Sequence, residues 1–223
     1  MDERIHITGE KITVLDYEKK LHFDEHYKKL QSLNGTQKAG KLLWGEAGYV
    51  IVFILLKYVL RYLPDLQPWN HAGVWFTFCS IPFSKYDCPY IIYGLIANCY
   101  GSIRLIKITT QNHSVKDKNN GVPLNLLTDG CYAKVRHPMY GTFIILQSSL
   151  LLSLRSLIGI IVALGVVVFQ YFNAKWEEKK KLIPLFEKNY LNYSKVACNI
   201  LLEKWEIFVL TVAAFLSLAG FIF

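Results

Sequence analysis

The chain has 223 residues, of which 52% are hydrophobic and 19% are charged, and its formal net charge is +8. This content of large apolar residues excludes a disordered chain, and 14 glycines with 7 prolines exclude a collagen-like one. A mean hydropathy of +0.24 beside this positive charge indicates that apolar and charged residues occupy separate segments, as in membrane proteins.

Residues 1–46 are polar, with eight Lys or Arg residues and eight Asp or Glu residues. Leucines that recur at helical spacing predict an amphipathic helix over residues 14–33. The lysines that precede the first apolar run suit a membrane surface. We therefore interpret residues 1–46 as an amphipathic N-terminal region in the cytosol.

Residues 47–108 are predicted to form the N-terminal transmembrane helices. Apolar runs over 47–63 and 89–103 are interpreted as two crossings of the bilayer. The aromatic stretch over 69–83 is too short to span a bilayer alone, which favours an interfacial or re-entrant segment.

Residues 109–204 are predicted to form a central core. Within it, two apolar segments are separated only by Arg155-Ser156, which predicts a tight helical hairpin over residues 140–172. Residues 205–223 form a final apolar run and predict a C-terminal transmembrane helix. The predicted fold is all-α: a polytopic integral membrane protein with about five transmembrane helices.

Lys and Arg residues are distributed unevenly between the two sides of this layout. Residues 1–46, 104–139 and 174–204 hold 21 of the 25 Lys and Arg residues. The positive-inside rule assigns such segments to the cytosol, so we expect a cytosolic N-terminus. A nucleic-acid partner is not expected, because a basic binder of nucleic acid shows a Lys/Arg stripe without long apolar runs.

No metal site is predicted. His22 and His26 have the spacing of two ligands on one helix face, but no third ligand is evident in the sequence. The five cysteines form no C-x-x-C pair, so we interpret them as isolated thiols.

Two polar clusters flank the predicted hairpin. Arg136, His137 and Tyr140 stand at its entry, and Glu177 and Glu178 stand beyond its exit. A two-helix hairpin returns its entry and its exit to the same membrane face, so these residues are expected to lie close together. A helix N-terminus with a nearby Arg favours an anion, and a pair of Glu residues favours a cation. Together they suit a zwitterionic amino-acid group, with tyrosines that could pack against a flat ring.

The segment 127–141, LTDGCYAKVRHPMYG, resembles the Arg-His-Pro region of the isoprenylcysteine carboxyl methyltransferases. That family lies within a wider group of membrane methyltransferases, which includes phospholipid methyltransferases. Residues 112–115 resemble the family's upstream Asn-His segment, and residues 177–178 resemble its Glu-rich exit. Residues 190–193 resemble its closing pair of tyrosines. The resemblance covers roughly residues 112–193, about a third of the chain.

The resemblance implies that S-adenosyl-L-methionine is the methyl donor and binds at the cytosolic face. It assigns the cofactor contacts to ten residues, which are Leu124, Asn125, Leu126, Leu127, Tyr132, His137, Pro138, Met139, Tyr140 and Glu178. The implied substrate is the C-terminal carboxylate of a prenylated cysteine, at a CaaX-type protein C-terminus, which becomes a methyl ester. Arg136 and Lys175 are the candidates to bind this carboxylate, because Ala174 stands where the family commonly has an Arg.

The resemblance also implies a location and leaves alternatives open. The expected compartment is the endoplasmic reticulum membrane in a eukaryote and the plasma membrane in a prokaryote. The difference at Ala174 keeps open methyl transfer to a phospholipid amine or to a small lipophilic acceptor. A catalytically silent membrane scaffold that keeps the fold is the alternative outside the enzymes. In that case the Arg-His-Pro segment is a helix cap at the membrane surface, and the two Glu residues lie on a solvated helix face.

Overall fold

The computed structural model describes residues 35–60, 62–63, 73–78, 80–114 and 125–219. The predicted amphipathic helix over 14–33, the His22 and His26 pair, and Leu124 lie outside the described residues. From Leu42 onward the chain forms one compact unit, which contains all the contacts discussed below.

The described residues are mostly helical, as the all-α prediction requires. The α-helices are α1 (Gly35–Leu60), α2 (Asp87–Ser114), α3 (Pro138–Ser153), α4 (Leu157–Glu177), α5 (Ile183–Val196) and α6 (Lys204–Ala219). A short 3₁₀ turn at Gly130–Tyr132 precedes α3, and a π-helical turn at Glu178–Leu182 joins α4 to α5.

Three stretches of the described helices are long and apolar enough to cross a membrane, which supports a membrane protein. They are Leu42–Leu60, Asp87–Asn112 and Leu157–Val196. The last has 40 residues, more than one crossing of a ~30 Å hydrocarbon core needs, and it is interrupted by the π-helical turn and by a kink at Glu187. Its apolar part ends before Lys175, so the charged remainder lies outside the span. Helices α3 and α6 have 16 residues each, fewer than the roughly 20 that a straight span needs.

The all-helical prediction is corrected at the aromatic stretch after α1. Residues expected to be interfacial or re-entrant form an antiparallel pair of strands, β1 (Val74–Phe78) and β2 (Ile81–Ser84). The β-branched and aromatic residues of β1 favour a strand. Phe76 pairs with Phe83 across the strands, with stacked rings whose centroids lie 4.9 Å apart. Ile81 and Phe83 are buried in one hydrophobic cluster, which anchors the pair to the helices.

Helices α1 and α2 run antiparallel to each other. Near the start of the described unit, the Asn98 amide donates to Glu46 at 2.9 Å. Eleven residues further along α1, Lys57 donates to Asp87 at 2.6 Å. Asn98 lies eleven residues after Asp87, so the two contacts together fix the opposite directions of the helices. The predicted crossing over 89–103 lies within α2, and the one over 47–63 extends past the end of α1 at Leu60.

Helices α3 and α4 form the tight hairpin that the Arg155-Ser156 junction predicts. Three residues, 154–156, connect them, and Arg155 adopts a left-handed conformation with φ 52°. The Ser156 hydroxyl caps α4 by accepting from the Gly159 amide at 3.4 Å. The hairpin therefore places Pro138 and Glu177 at one end of the bundle, here called the site end. Residues 154–156 mark the other end, here called the far end.

Helix α6 runs from the site end to the far end and completes the packing around α3. At its far end, the Ser217 hydroxyl donates to the Leu152 carbonyl oxygen at 3.4 Å. Near the site end, Leu201 and Leu202 share a buried cluster with Ile144 and Ala174. The core of the unit thus centres on α3, which packs most extensively against α2 and α4 and also contacts α6. The polar residues before α3 are held at its edge.

Candidate functional site

The 3₁₀ turn before α3 is fixed to the end of α2. Gly130 has φ 55°, a conformation that glycine adopts without strain. A Cβ at Gly130 would overlap the Gln111 side chain, whose Oε1 accepts from the Cys131 amide at 3.0 Å. One residue along α2, the Asn112 Oδ1 accepts a hydrogen bond from the Tyr132 hydroxyl at 2.5 Å. These contacts hold Tyr132 against the site end.

A short parallel bridge fixes the backbone of the Arg-His-Pro segment. The Arg136 and His137 amides donate to the carbonyl oxygens of Asn199 at 3.0 Å and Ile200 at 2.9 Å. Pro138 occupies the first turn of α3, where a missing N–H costs nothing. A Cβ on Gly141 would overlap the Leu201 carbonyl oxygen, so glycine permits this close approach. The segment after α5 therefore positions the Arg136 and His137 side chains.

Glu178 is the centre of the polar cluster, although only 6% of the residue is exposed. Its Oε1 lies 2.9 Å from an Arg136 terminal nitrogen and 3.3 Å from His137 Nε2. The same oxygen accepts from the Tyr190 hydroxyl at 2.9 Å, and the Lys175 ammonium donates to Oε2 at 2.9 Å. Two cations and a phenol thus surround one carboxylate.

His137 lies between Glu177, the last residue of α4, and Glu178, the residue after it. Its Nδ1 is 3.3 Å from Glu177 Oε2, and its Nε2 is the same distance from Glu178. A ring protonated on both nitrogens would donate to both carboxylates. The residues that the sequence separates by about 40 positions are therefore brought together, as the hairpin geometry requires.

Both carboxylates are held in the ionised form. Burial alone raises the pKa of Glu178, but hydrogen bonds from Lys175 and Tyr190 and the charge of Arg136 outweigh it and lower this pKa below its ordinary value. Burial likewise raises the pKa of Glu177, and hydrogen bonds from His137 and Tyr140 reverse the effect, so that this pKa is also lowered. Two negative charges therefore remain at the site end at neutral pH.

A cavity of about 240 Å³ opens beside this cluster. It is lined by Asn112, Asn125, Leu126, Leu127, Tyr132, Arg136, His137, Met139, Tyr140, Glu177, Leu182, Phe186, Tyr190 and Tyr193. Its wall combines one guanidinium, one carboxylate and several aromatic rings. Tyrosine rings on three different elements face the same space.

Most of the predicted cofactor residues lie on or next to this cavity. Seven of the ten are in its wall: Asn125, Leu126, Leu127, Tyr132, His137, Met139 and Tyr140. Glu178 contacts three wall residues, Arg136, His137 and Tyr190, and Pro138 is buried at the start of α3. Leu124 is outside the described residues.

The two candidates for the substrate carboxylate differ in position. Arg136 is in the cavity wall, whereas Lys175 is ion-paired with Glu178 and is not among the residues that line the cavity. Ala174 is fully buried and packs with Ile144 and Leu201 in the core. This position faces the helical core, so the structure leaves Arg136 as the cation of the cavity wall.

One donor on Arg136 is not used within the described part of the chain. Its Nε is buried and has no hydrogen-bond partner there, while a terminal nitrogen is paired with Glu178. A buried donor without a partner costs free energy, about 1–3 kcal/mol for a typical group. A ligand acceptor such as a carboxylate oxygen would satisfy it.

The cavity wall also contains residues that the site prediction omits. These are Asn112, Glu177, Leu182, Phe186, Tyr190 and Tyr193. Tyr190 and Tyr193 lie three residues apart on α5, and Phe186 precedes them across a kink at Glu187, where the backbone is not helical. Tyr193 donates to the Tyr132 carbonyl oxygen at 2.6 Å and so closes the cavity against the 3₁₀ turn. The spacing of the two tyrosines was the available signal.

An apolar groove of about 580 Å³ lies on the other side of the segment that holds Arg136 and His137. Ile144 of α3, Val167 of α4 and Leu210 of α6 line it, and Asn199 and Ile200 form its edge near the site end. The backbone carbonyls of Asn199 and Ile200 accept from Arg136 and His137. A single stretch of chain thus separates the apolar groove from the polar cavity.

Comparison with known proteins returned no relative: no family model, no curated protein and no solved structure matches this chain.

Proposed function

We propose that this protein is a membrane methyltransferase that uses S-adenosyl-L-methionine to methylate the C-terminal carboxylate of a prenylated cysteine. The observation that carries the proposal is the wall of the polar cavity, where Arg136 and Glu177 stand beside tyrosine rings. A fixed cation and a fixed anion in one small space match an amino-acid group, and flat rings match a nucleobase.

The residues present fit the cofactor. The unsatisfied Nε of Arg136 is suited to a carboxylate, and the ionised Glu177 is suited to an ammonium. Tyr132 and Tyr140 would pack against the adenine, and Leu126 adds apolar surface. Glu178 holds the Arg136 and His137 side chains in position through its ion pair and its hydrogen bond.

The chemistry asks the protein for positioning. S-adenosyl-L-methionine supplies a methyl group on a positively charged sulfur, and an ionised carboxylate can accept it without a general base. An α-carboxyl has an ordinary pKa of about 3.5, so it is ionised at neutral pH. The protein's contribution is to place the acceptor carboxylate in line with the donor methyl group and to exclude water from the cavity.

The apolar groove supports an acceptor with a lipid chain. Its lining from α3, α4 and α6 is apolar over a length of helix that suits a prenyl group. Because its edge is the segment that holds Arg136, an acceptor in the groove would present its polar end close to the cavity. A prenylated CaaX-type C-terminus in the bilayer has this form. We place the site end at the cytosolic face, in the endoplasmic reticulum membrane of a eukaryote or the plasma membrane of a prokaryote.

The test is transfer of radiolabelled methyl from S-adenosyl-L-methionine to N-acetyl-S-farnesylcysteine by membranes that contain the protein. We expect a base-labile methyl ester above the level of empty-vector membranes. Glu177→Gln should lower the activity at least tenfold, because it removes the anion of the cavity wall. Glu187→Gln is the matched control, since Glu187 is exposed on α5 and is not among the cavity residues.

Three other results would each contradict the proposal in a different way. Transfer to phosphatidylethanolamine without transfer to farnesylcysteine would make the acceptor a phospholipid amine. Cofactor binding without transfer to either acceptor would point to a small lipophilic acceptor. Neither binding nor transfer would make the protein a membrane scaffold.

A further inference from the structure

A buried ion pair joins α2 to α6 at the boundary between two cavities that are separate from the polar cavity described above. Arg104 pairs with Glu206, which also accepts from the Tyr100 hydroxyl at 2.7 Å and from the Glu203 amide at 2.7 Å. Only 2% of Glu206 is exposed. The pair fixes the spacing of the two helices near the site end.

The first of the two cavities is a basic pocket of about 660 Å³ at the site end. Arg104, Lys107 and Lys134 line it, and Glu203 is the one acidic residue in its described lining. Glu203 pairs with Lys134 at 3.4 Å, and the Lys134 side chain is 72% exposed. With Arg104 neutralised by Glu206, Lys107 supplies the excess positive charge of the pocket.

The second is an apolar groove of about 480 Å³ between α2 and α6. Ile92, Ile96 and Ala97 of α2 and Val209 of α6 form its sides. Ile92 is 55% exposed and Ile96 is 65% exposed at the surface of the protein. Both lie on a helix that is long and apolar enough to span a membrane. This groove contains no residue of the polar cavity or of its neighbouring apolar groove except Leu210.

The pocket and the groove meet at Tyr100, which lines both. The Tyr100 ring packs edge-to-face with Trp205, with centroids 5.3 Å apart. Trp and Tyr are enriched at the level of lipid headgroups. From Pro89 to Tyr100 the groove follows α2 for about 16 Å, which is half of a ~30 Å hydrocarbon core. The groove is therefore long enough to hold one acyl chain, whose end would lie near Pro89 at the far end.

We propose that a phospholipid with an anionic headgroup binds here. Its phosphate lies in the basic pocket between Lys107 and Lys134, and one acyl chain lies in the groove between α2 and α6. The charge of the pocket and the apolar lining of the groove match the two parts of such a lipid. Because Lys134 follows the turn that holds Tyr132, the bound lipid would also stabilise the wall of the polar cavity.

The test compares lipid binding to the purified protein in detergent by native mass spectrometry. We expect phosphatidylglycerol to bind at least tenfold more tightly than phosphatidylcholine. The double variant Lys107→Gln with Lys134→Gln should lose this preference, because each lysine contributes severalfold at a lipid surface. The matched control is Lys188→Gln with Lys195→Gln, which removes two exposed lysines from α5. Equal affinity for the two lipids, or an equal loss in the control, would overturn the proposal.

A second variant tests the groove. Ala97→Phe adds bulk to its lining and should weaken phosphatidylglycerol binding severalfold while leaving Lys107 and Lys134 in place. Glycerol 3-phosphate, which has the headgroup phosphate but no acyl chain, should bind at least a hundredfold more weakly than the lipid. Comparable binding of glycerol 3-phosphate would show a phosphate site without a lipid, and would also overturn the proposal. These results do not depend on methyl transfer, so they separate this site from the proposed activity.

Discussion

The buried carboxylate of Glu178 shows how one residue organises the site end. Its two oxygens accept from Tyr190 and Lys175, and one of them also lies beside Arg136 and His137. A buried carboxylate is costly unless it is paired and hydrogen-bonded, and here each oxygen has a partner. The cost of burial is therefore offset by contacts that also hold the cavity wall in place.

Tyr190→Phe is expected to destabilise the protein at neutral pH by about 1.5–3 kcal/mol, because the variant removes a hydrogen bond to a charged group. The pKa of Glu178 is lowered in the folded state, so its ionised form contributes stability above pH ~4.3, and this contribution is lost as the pH falls through the lowered pKa. The difference between the variant and the parent protein should shrink in acid. Thermal unfolding in detergent from pH 7 to pH 3 measures it.

Tyr171→Phe is the matched control for this variant, since Tyr171 is exposed on α4. Its effect on unfolding should stay within about 0.5 kcal/mol at every pH. A Tyr190→Phe variant that behaves like this control would show that the hydroxyl does not stabilise Glu178.

At the residue scale, the sequence was informative about which side chains meet and less so about which face the cavity. Arg136, His137 and the two Glu residues follow from the hairpin, because a short turn leaves few alternatives for the ends of its helices. The contact between Tyr132 and Asn112 depends on how α2 packs, which no local pattern specifies. Lys175 illustrates the same limit. The face of α4 on which a residue lies decides whether its side chain lines the cavity.

At the element scale, the far end of the hairpin depends on a second buried charge cluster. Asp87 at the start of α2 lies 2.6 Å from Lys57 of α1 and 3.3 Å from Arg155 of the α3–α4 turn. Arg155 also donates to the Ser84 hydroxyl of β2 at 3.1 Å. One carboxylate thus joins two helices and the turn, in which Arg155 has a positive φ.

Asp87→Asn is expected to lower the free energy of unfolding by about 3–5 kcal/mol, because it leaves two buried cations without their common anion. The measurement is thermal unfolding of the purified protein in detergent. Asp129→Asn provides the comparison: Asp129 is exposed, its side chain makes no capping hydrogen bond, and its loss should change stability little. Equal stability of the two variants would show that the cluster does not hold the turn.

The elements differ in how well the sequence predicts them. The hairpin is evident because Arg155-Ser156 is a short polar interruption between two apolar segments of helical length. The strands β1 and β2 are not, because a short aromatic run fits a strand, an interfacial helix and a re-entrant segment equally well. The Phe76 and Phe83 pairing that decides between them is a tertiary contact. The π-helical turn at 178–182 likewise has no signal in the local sequence, although it sets the direction of the Glu178 side chain.

At the scale of the whole molecule, the described helices other than α5 alternate in direction between the two ends. Helices α1, α3 and α6 run towards the far end, and α2 and α4 run back to the site end. Charged residues follow the same division, since Lys179, Lys180 and Lys181 cluster beyond α4 at the site end. The cytosolic placement of this basic end stays a prediction of the positive-inside rule.

This topology predicts opposite accessibility of the two ends in sealed microsomes whose cytosolic face is outward. In a cysteine-free background, Lys195→Cys at the site end should react with a membrane-impermeant maleimide in intact vesicles. Lys85→Cys, next to β2 at the far end, should react only after detergent is added. Both positions are exposed in the folded protein, so a difference in labelling reports protection by the membrane and not burial within the protein.

Labelling of both cysteines in intact vesicles would show that the bundle does not cross the bilayer. The reverse pattern would place the polar cavity in the lumen, away from a cytosolic pool of S-adenosyl-L-methionine.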